Sequence, residues 1–225
     1  MVVAHLYSDL LNLYGNDGNI KILVKKLREI GVSVDLVSLS VGDKFNFSKY
    51  DLVYIGSGTE KNQEIALNDL MIYKDDIMKF IDDGKVFLVT GNALDLFGNG
   101  FSDRKDVKCL ELFDFSSLLV ERIRKDVIYD CSFLGKSILG FENHNYVIDS
   151  KKCDSLFDDE GVRKNNLMGT YVEGPILVRN PYFLKYIIEF LVKDEKKLKK
   201  LDLSLEIKAY DNFYNLLANG YKQSK

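Results

Sequence analysis

Histidine, proline and cysteine are scarce in this chain of 225 residues, and each scarcity narrows what it can do. His5 and His144 are the only histidines, so chemistry that needs an imidazole must use one of them. The three cysteines, Cys109, Cys131 and Cys153, are odd in number, widely spaced and without a C-x-x-C pair. That argues against a disulfide framework or a zinc site and for buried, reduced thiols. No apolar run approaches the roughly 20 residues of a membrane-spanning helix. The chain opens on an apolar segment, with neither a charged leader nor an A-x-A-like cleavage site, which predicts no signal peptide and a cytoplasmic protein. A basic surface is also missing: the formal net charge is -3 and no segment is dominated by Lys and Arg, which excludes an ordinary nucleic-acid binder. The densest charge run, residues 193–200 (K-D-E-K-K-L-K-K), reads as a solvated loop or helix end.

What is present is enough apolar material for a large core, 46% hydrophobic and 12% aromatic residues, in a length that suits one domain over residues 1–225. Residues 2–7 read as a first strand, followed by a turn-rich stretch, Y-G-N-D-G-N at 14–19, in which Asp17 or Asn19 could cap the next helix. That helix, 19–30, carries an apolar stripe of Ile20, Leu23, Val24, Leu27 and Ile30. Strands are expected at 32–37 and 51–55, then a long helix at 63–81 and a strand at 86–90. Alternating strands and helices predict parallel pairing with right-handed crossovers. Past Gly98 the texture changes to short apolar runs at 109–113, 127–131, 137–141 and 146–148, read as an antiparallel extension of the sheet. A strand at 166–171 and helices at 182–192 and 203–217 complete the expectation. The only prolines, Pro175 and Pro181, bracket I-L-V-R-N before the first of those helices.

The centre of this pattern is residues 85–98, K-V-F-L-V-T-G-N-A-L-D-L-F-G. A doubly buried strand runs into a sharp turn and then a short helix over 93–97. In open α/β sheets that is where ligands bind and where a nucleophile elbow displays its reactive side chain. The residue at the apex is Gly91, which has none. The glycine-rich turn G-S-G-T-E at 56–60 could offer backbone N–H groups to an anion, although taken on its own it reads better as a tight strand-to-helix turn.

Four stretches, in this order, resemble the class I glutamine amidotransferases of the cobyric-acid-synthase-like branch. They are L-L-N-L-Y-G-N-D-G-N at 10–19, I-G-S-G-T-E-K-N-Q at 55–63, G-F-E-N-H at 140–144 and G-T-Y-V-E-G-P-I-L-V-R-N-P at 169–181. Within the branch they look most like the glutaminase subunits of lipid II isoglutaminyl synthase, which work with a Mur-ligase-like partner in bacterial cell-wall amidation. The resemblance implies a three-layer α/β fold with a parallel central sheet, helices on both faces and the antiparallel extension. It also implies glutamine hydrolysis by an elbow cysteine, a proton-moving histidine and an oxyanion site of backbone N–H groups, with no cofactor or metal.

Laid on the family's patterns, the cysteine position is Gly91, the histidine position Glu173 and the acidic position Asn16, while their neighbours remain recognisable. Thr90 points to the other face of the sheet. Gly91 is expected to face Glu173 across a shallow cleft near Gly58, leaving Glu173 no thiol or hydroxyl to activate. Arg122 matches an arginine that such enzymes use to hold substrate, and a guanidinium suits an amino-acid carboxylate; a surface arginine is an equal reading. Gly58 would supply the oxyanion donor, with Ser57 replacing a common glycine. His144 and His5 read as structural. The resemblance therefore points to a pseudoenzyme that binds or scaffolds a Mur-ligase-like subunit. Two alternatives stand beside it: a working amidotransferase subunit whose nucleophile comes from elsewhere, and a sensor that binds glutamine or a related amino acid.

Overall fold

The computed structural model of the chain describes residues 1–149 and 153–223. Its strands and helices are β1 (Val2–Leu6), α1 (Asp17–Glu29), β2 (Asp35–Leu39), β3 (Leu52–Ile55), α2 (Glu60–Leu70), α3 (Lys74–Asp82) and β4 (Val86–Thr90). After a 3-10 helix at Gly91–Phe97 come β5 (Ser117–Tyr129), β6 (Ile138–Ile148), β7 (Val162–Lys164) and β8 (Leu167–Thr170). The C-terminal helices are α4 (Ile176–Arg179), α5 (Pro181–Leu191), α6 (Glu195–Leu198) and α7 (Ser204–Gln223). Six strands form one sheet in the order β2-β1-β3-β4-β8-β7, parallel throughout except for β7, which runs antiparallel to β8 at the edge.

The apolar runs of the inner strands follow from burial on both faces. Val53, Ile55, Phe87 and Val89 point into one core with Ala66, Leu67 and Leu70 of α2 and Ile77, Phe80 and Ile81 of α3. Their neighbours Leu52, Tyr54, Val86 and Leu88 point into the other, against Ile20, Leu23, Val24 and Leu27 of α1 and Phe183, Leu184, Ile187 and Ile188 of α5. Successive side chains of a strand alternate between faces, so each inner strand feeds both layers.

Several expectations need correction. The helix expected at 63–81 is two, α2 and α3, separated by a 3-10 turn at Met71–Tyr73. The turn lets Tyr73 stack on Phe45 at 4.6 Å, a tertiary contact no local pattern encodes. Neither Asp17 nor Asn19 caps α1: Asn12 Oδ1 accepts from the Asp17 N–H at 2.9 Å, and Asn19 joins Tyr54 to the Leu177 amide. The run at 109–113 forms no strand. Its amides are spent on the end of the 3-10 helix, Leu110 N–H on Leu96 O and Leu112 N–H on Phe97 O, both 2.9 Å. The runs at 127–131, 137–141 and 146–148 belong to one long hairpin, β5–β6, which is a sheet of its own and not an extension of the parallel one. The antiparallel strand of the central sheet is instead β7, too short and polar to be read. The helix over 93–97 is a 3-10 helix that starts at Gly91, and α4, between the two prolines, was not anticipated. The run at 193–200 is largely exposed, with α6 within it, as expected. Among the described residues, no helix is long and apolar enough to cross a membrane.

Candidate active site

β4 delivers the chain to Gly91, whose φ of +63° lies in the left-handed region. An L side chain there costs about 1 kcal/mol or more, which a nucleophile elbow accepts in order to aim its reactive atom. Here the elbow backbone is kept without the side chain. Glu173, just past β8, is brought against it, its place fixed by a backbone pair with Phe141 of β6: Glu173 N–H to Phe141 O at 2.8 Å and Phe141 N–H to Glu173 O at 3.2 Å.

The shallow cleft expected between Gly91 and Glu173 is filled. A Cβ placed on Gly91 would lie 1.8 Å from Ser57 Oγ and 1.9 Å from Glu173 Oε1. Ser57, at the end of β3, donates its hydroxyl to Glu173 Oε1 and lies 3.4 Å from the Thr90 carbonyl oxygen. Glu173 therefore does have a hydroxyl beside it, contrary to the sequence reading. Both side chains are sealed, Ser57 at 0% and Glu173 at 1% exposure. Burial pushes the Glu173 carboxyl up to about 8, against the pull of the Ser57 hydrogen bond and of His144. At neutral pH the protonated form predominates, which leaves it a poor base toward Ser57.

The oxyanion position is engaged as well. The Gly58 N–H donates to Asn92 Oδ1 at 3.2 Å, Asn92 Nδ2 donates back to Gly58 O at 2.8 Å, and Gln63 Nε2 donates to Asn92 O. Space at 58 is tight, since a Cβ would overlap the Leu11 side chain and lie 3.0 Å from the Leu10 carbonyl oxygen. Asn16 lies next to this centre rather than in it: buried at the start of α1, it accepts from Thr90 Oγ1 at 3.5 Å and presses its amide on Gly56. The Thr90 hydroxyl, 2.7 Å from Tyr54 OH, faces that side.

Arg122 stands apart, exposed on β5, with Nε donating to Asn143 Oδ1 at 2.8 Å. It shares with Gly58, Tyr14, Asn92 and His144 a cavity of about 510 Å³ above the elbow. His144 is a packed residue: its Nδ1 meets Tyr146 O at 2.6 Å and its ring stacks on Tyr171 at 4.2 Å. Burial alone would lower its pKa, but Glu142 and the Tyr146 carbonyl outweigh it and the net shift is upward. His5 is buried against Tyr54, its pKa pushed down to about 4 by burial despite Asp17. Burial holds the Cys109 and Cys131 thiols at about 12 and about 11, far from thiolate chemistry. Among the described residues no His, Cys, Asp and Glu group is arranged to hold a metal ion.

Sequence reasoning missed Ser57 and Asn92 as occupants of the centre. The only signal for Ser57 was its standing where the resembling family has glycine. It missed too the buried Asp95, which accepts from Ser117 and Tyr171 hydroxyls at 2.6 Å each behind the elbow.

The family model of the CobB/CobQ-like glutamine amidotransferase domain matches residues 2–181. The lipid II isoglutaminyl synthase (glutamine-hydrolyzing) subunit GatD of Staphylococcus aureus (strain N315) is 26% identical over 226 residues, covering 94% of this chain and 90% of its own. The subunit of the same name from Streptococcus pneumoniae (strain ATCC BAA-255 / R6) is 28% identical over 229 residues, covering 93% and 85%. A crystal structure of a glutamine amidotransferase superposes with a TM-score of 0.56 at 13% identity, covering 84% of this chain and 98% of that one, which speaks to the fold alone.

Proposed function

The chain belongs to the CobB/CobQ-like glutamine amidotransferase family, and from that membership we propose that it is a GatD-like subunit which no longer hydrolyses glutamine. In this reading it serves in the cytoplasm as the binding or scaffolding partner of a Mur-ligase-like subunit in cell-wall amidation. One observation carries the loss of chemistry: the elbow keeps its left-handed backbone at Gly91, but a serine and a protonated carboxyl fill the space of the nucleophile. Gly91, Glu173 and Asn16 are then three degenerate catalytic positions. The Ser57–Glu173 pair does not replace them, since its base is neutral at working pH and both groups are sealed from substrate. The cavity holding Arg122 and Gly58 supports retention of a site for an amino acid such as glutamine, with the carboxylate on the guanidinium.

Ammonia release from glutamine tests this reading. The purified chain is expected to release none, alone or mixed with a Mur-ligase-like protein from the same cell, while still forming a complex with it. Partner-dependent release would overturn the proposal. The Gly91→Cys variant is expected to stay inactive under the same assay, since its side chain would meet Ser57 and Glu173 and, where it is accommodated, the thiol has no histidine to take its proton.

A further inference from the structure

We propose that Ser57 is the residue that fixes residue 91 as glycine, so that positions 57, 91 and 173 are one coupled unit and not three separate losses. This rests on the reading of the elbow as non-hydrolysing and adds what holds it so. A Cβ on residue 91 would stand 1.8 Å from Ser57 Oγ and 1.9 Å from Glu173 Oε1, separations on the order of a covalent bond. The hydroxyl and the carboxyl thus occupy the volume a side chain at 91 needs.

Neither occupant can give way cheaply. Ser57 is fully buried, its carbonyl accepts from the Leu13 N–H at 3.0 Å, and its hydroxyl is held by Glu173. Glu173 is pinned to β6 by its own N–H and carbonyl, and its Oε2 has no hydrogen-bond partner among the described residues. Turning the carboxyl away would break its hydrogen bond with Ser57, and none of the described residues offers a replacement to Oε2 as placed. In a close-packed interior, relieving such an overlap forces a side chain off its rotamer or shifts the backbone, and either is costly. Removing the Ser57 side chain opens the volume from one side, and trimming Glu173 opens it from the other. Ser57 therefore decides what residue 91 can be, although it is not itself one of the positions at which the family's chemistry is lost.

The test is a set of thermal unfolding midpoints at pH 7. Gly91→Ala is introduced into the natural chain, into Ser57→Gly and into Ser57→Gly/Glu173→Ala. The left-handed backbone at 91 penalises alanine equally in all three and cancels in the comparison. In the natural chain Gly91→Ala is expected to lower the midpoint by roughly 6 °C or more, or to prevent folding. In Ser57→Gly the drop should be less than about half as large, and in the double background smaller still. Folding of Gly91→Ala only in a background lacking the Ser57 side chain would support the proposal equally. Equal drops in all three backgrounds would overturn the coupling and leave the functional reading intact. Ammonia release by the natural chain would overturn that reading while leaving the coupling measured.

Discussion

Replacing Glu173 by glutamine is expected to stabilise the protein increasingly as pH rises from about 5 to 9. Glutamine keeps the size and the carbonyl that accepts from Ser57, but it cannot ionise. Burial raises the Glu173 pKa from 4.5 to about 8 in the folded chain. A raised folded pKa gives stability that is fully present below the unfolded value and is lost as pH climbs through the folded one. Across that window the natural chain should lose on the order of 3–5 kcal/mol that the glutamine variant does not. Asp95, pushed up to about 6 by burial, and Glu160, pushed up to about 7, tilt the natural curve the same way, but both are present in each protein and cancel in the difference. Urea unfolding of both proteins at several pH values measures it. A stability difference flat from pH 5 to 9 would mean that Glu173 is ionised in the fold, and a serine–carboxylate pair able to move a proton would return as a reading.

The parts of the molecule that were legible in its sequence are those governed by local chemistry. The four inner strands announced themselves as apolar runs because both faces are covered, and α1 and α5 because one stripe of each is. The meeting of Gly91 with Glu173 was legible only through the family resemblance, which set these two residues at the cysteine and histidine positions. The hairpin β5–β6 was only half seen. Its first strand, largely exposed and carrying E-R-I-R-K-D, has no apolar alternation to reveal it, and its partner in the sheet is β6. The filling of the elbow was illegible for a different reason. Ser57 and Glu173 lie far apart in the chain, and that a hydroxyl and a carboxyl share the volume of a missing side chain is a fact of three dimensions. A glycine at an apex reads as an absence; the structure shows that its neighbours had moved in.

Lysine 26 should prove the strongest single anchor outside that centre. Lys26, on α1, is 6% exposed, and its ammonium binds the Asp202 carbonyl at 2.8 Å, Glu206 at 2.8 Å and Glu29 at 3.3 Å. Asp202 lies just before α7 and Glu206 in its first turn, and α7 lies beyond the residues matched by the family model, so this cation helps tie the C-terminal helix to the family core. Removing one member of a buried ion pair leaves the other desolvated and uncompensated, at a cost of about 3–5 kcal/mol. Lys26→Ala is therefore expected to lower the unfolding midpoint by roughly 6–15 °C, given the size of the chain. Burial alone would lower the lysine pKa, but Glu206 and Glu29 outweigh it and the net shift is upward. The stability that this shift contributes is complete below the unfolded lysine value, so the loss should be the same at pH 5 and pH 9, unlike the Glu173 effect. Amide exchange should rise first along α7. The double variant Lys26→Met/Glu206→Leu, which removes both charges and keeps the volume, should recover most of the midpoint. If Lys26→Ala costs under about 1 kcal/mol, the pair behaves as a surface contact and α7 is held by Leu203 and Tyr210 instead.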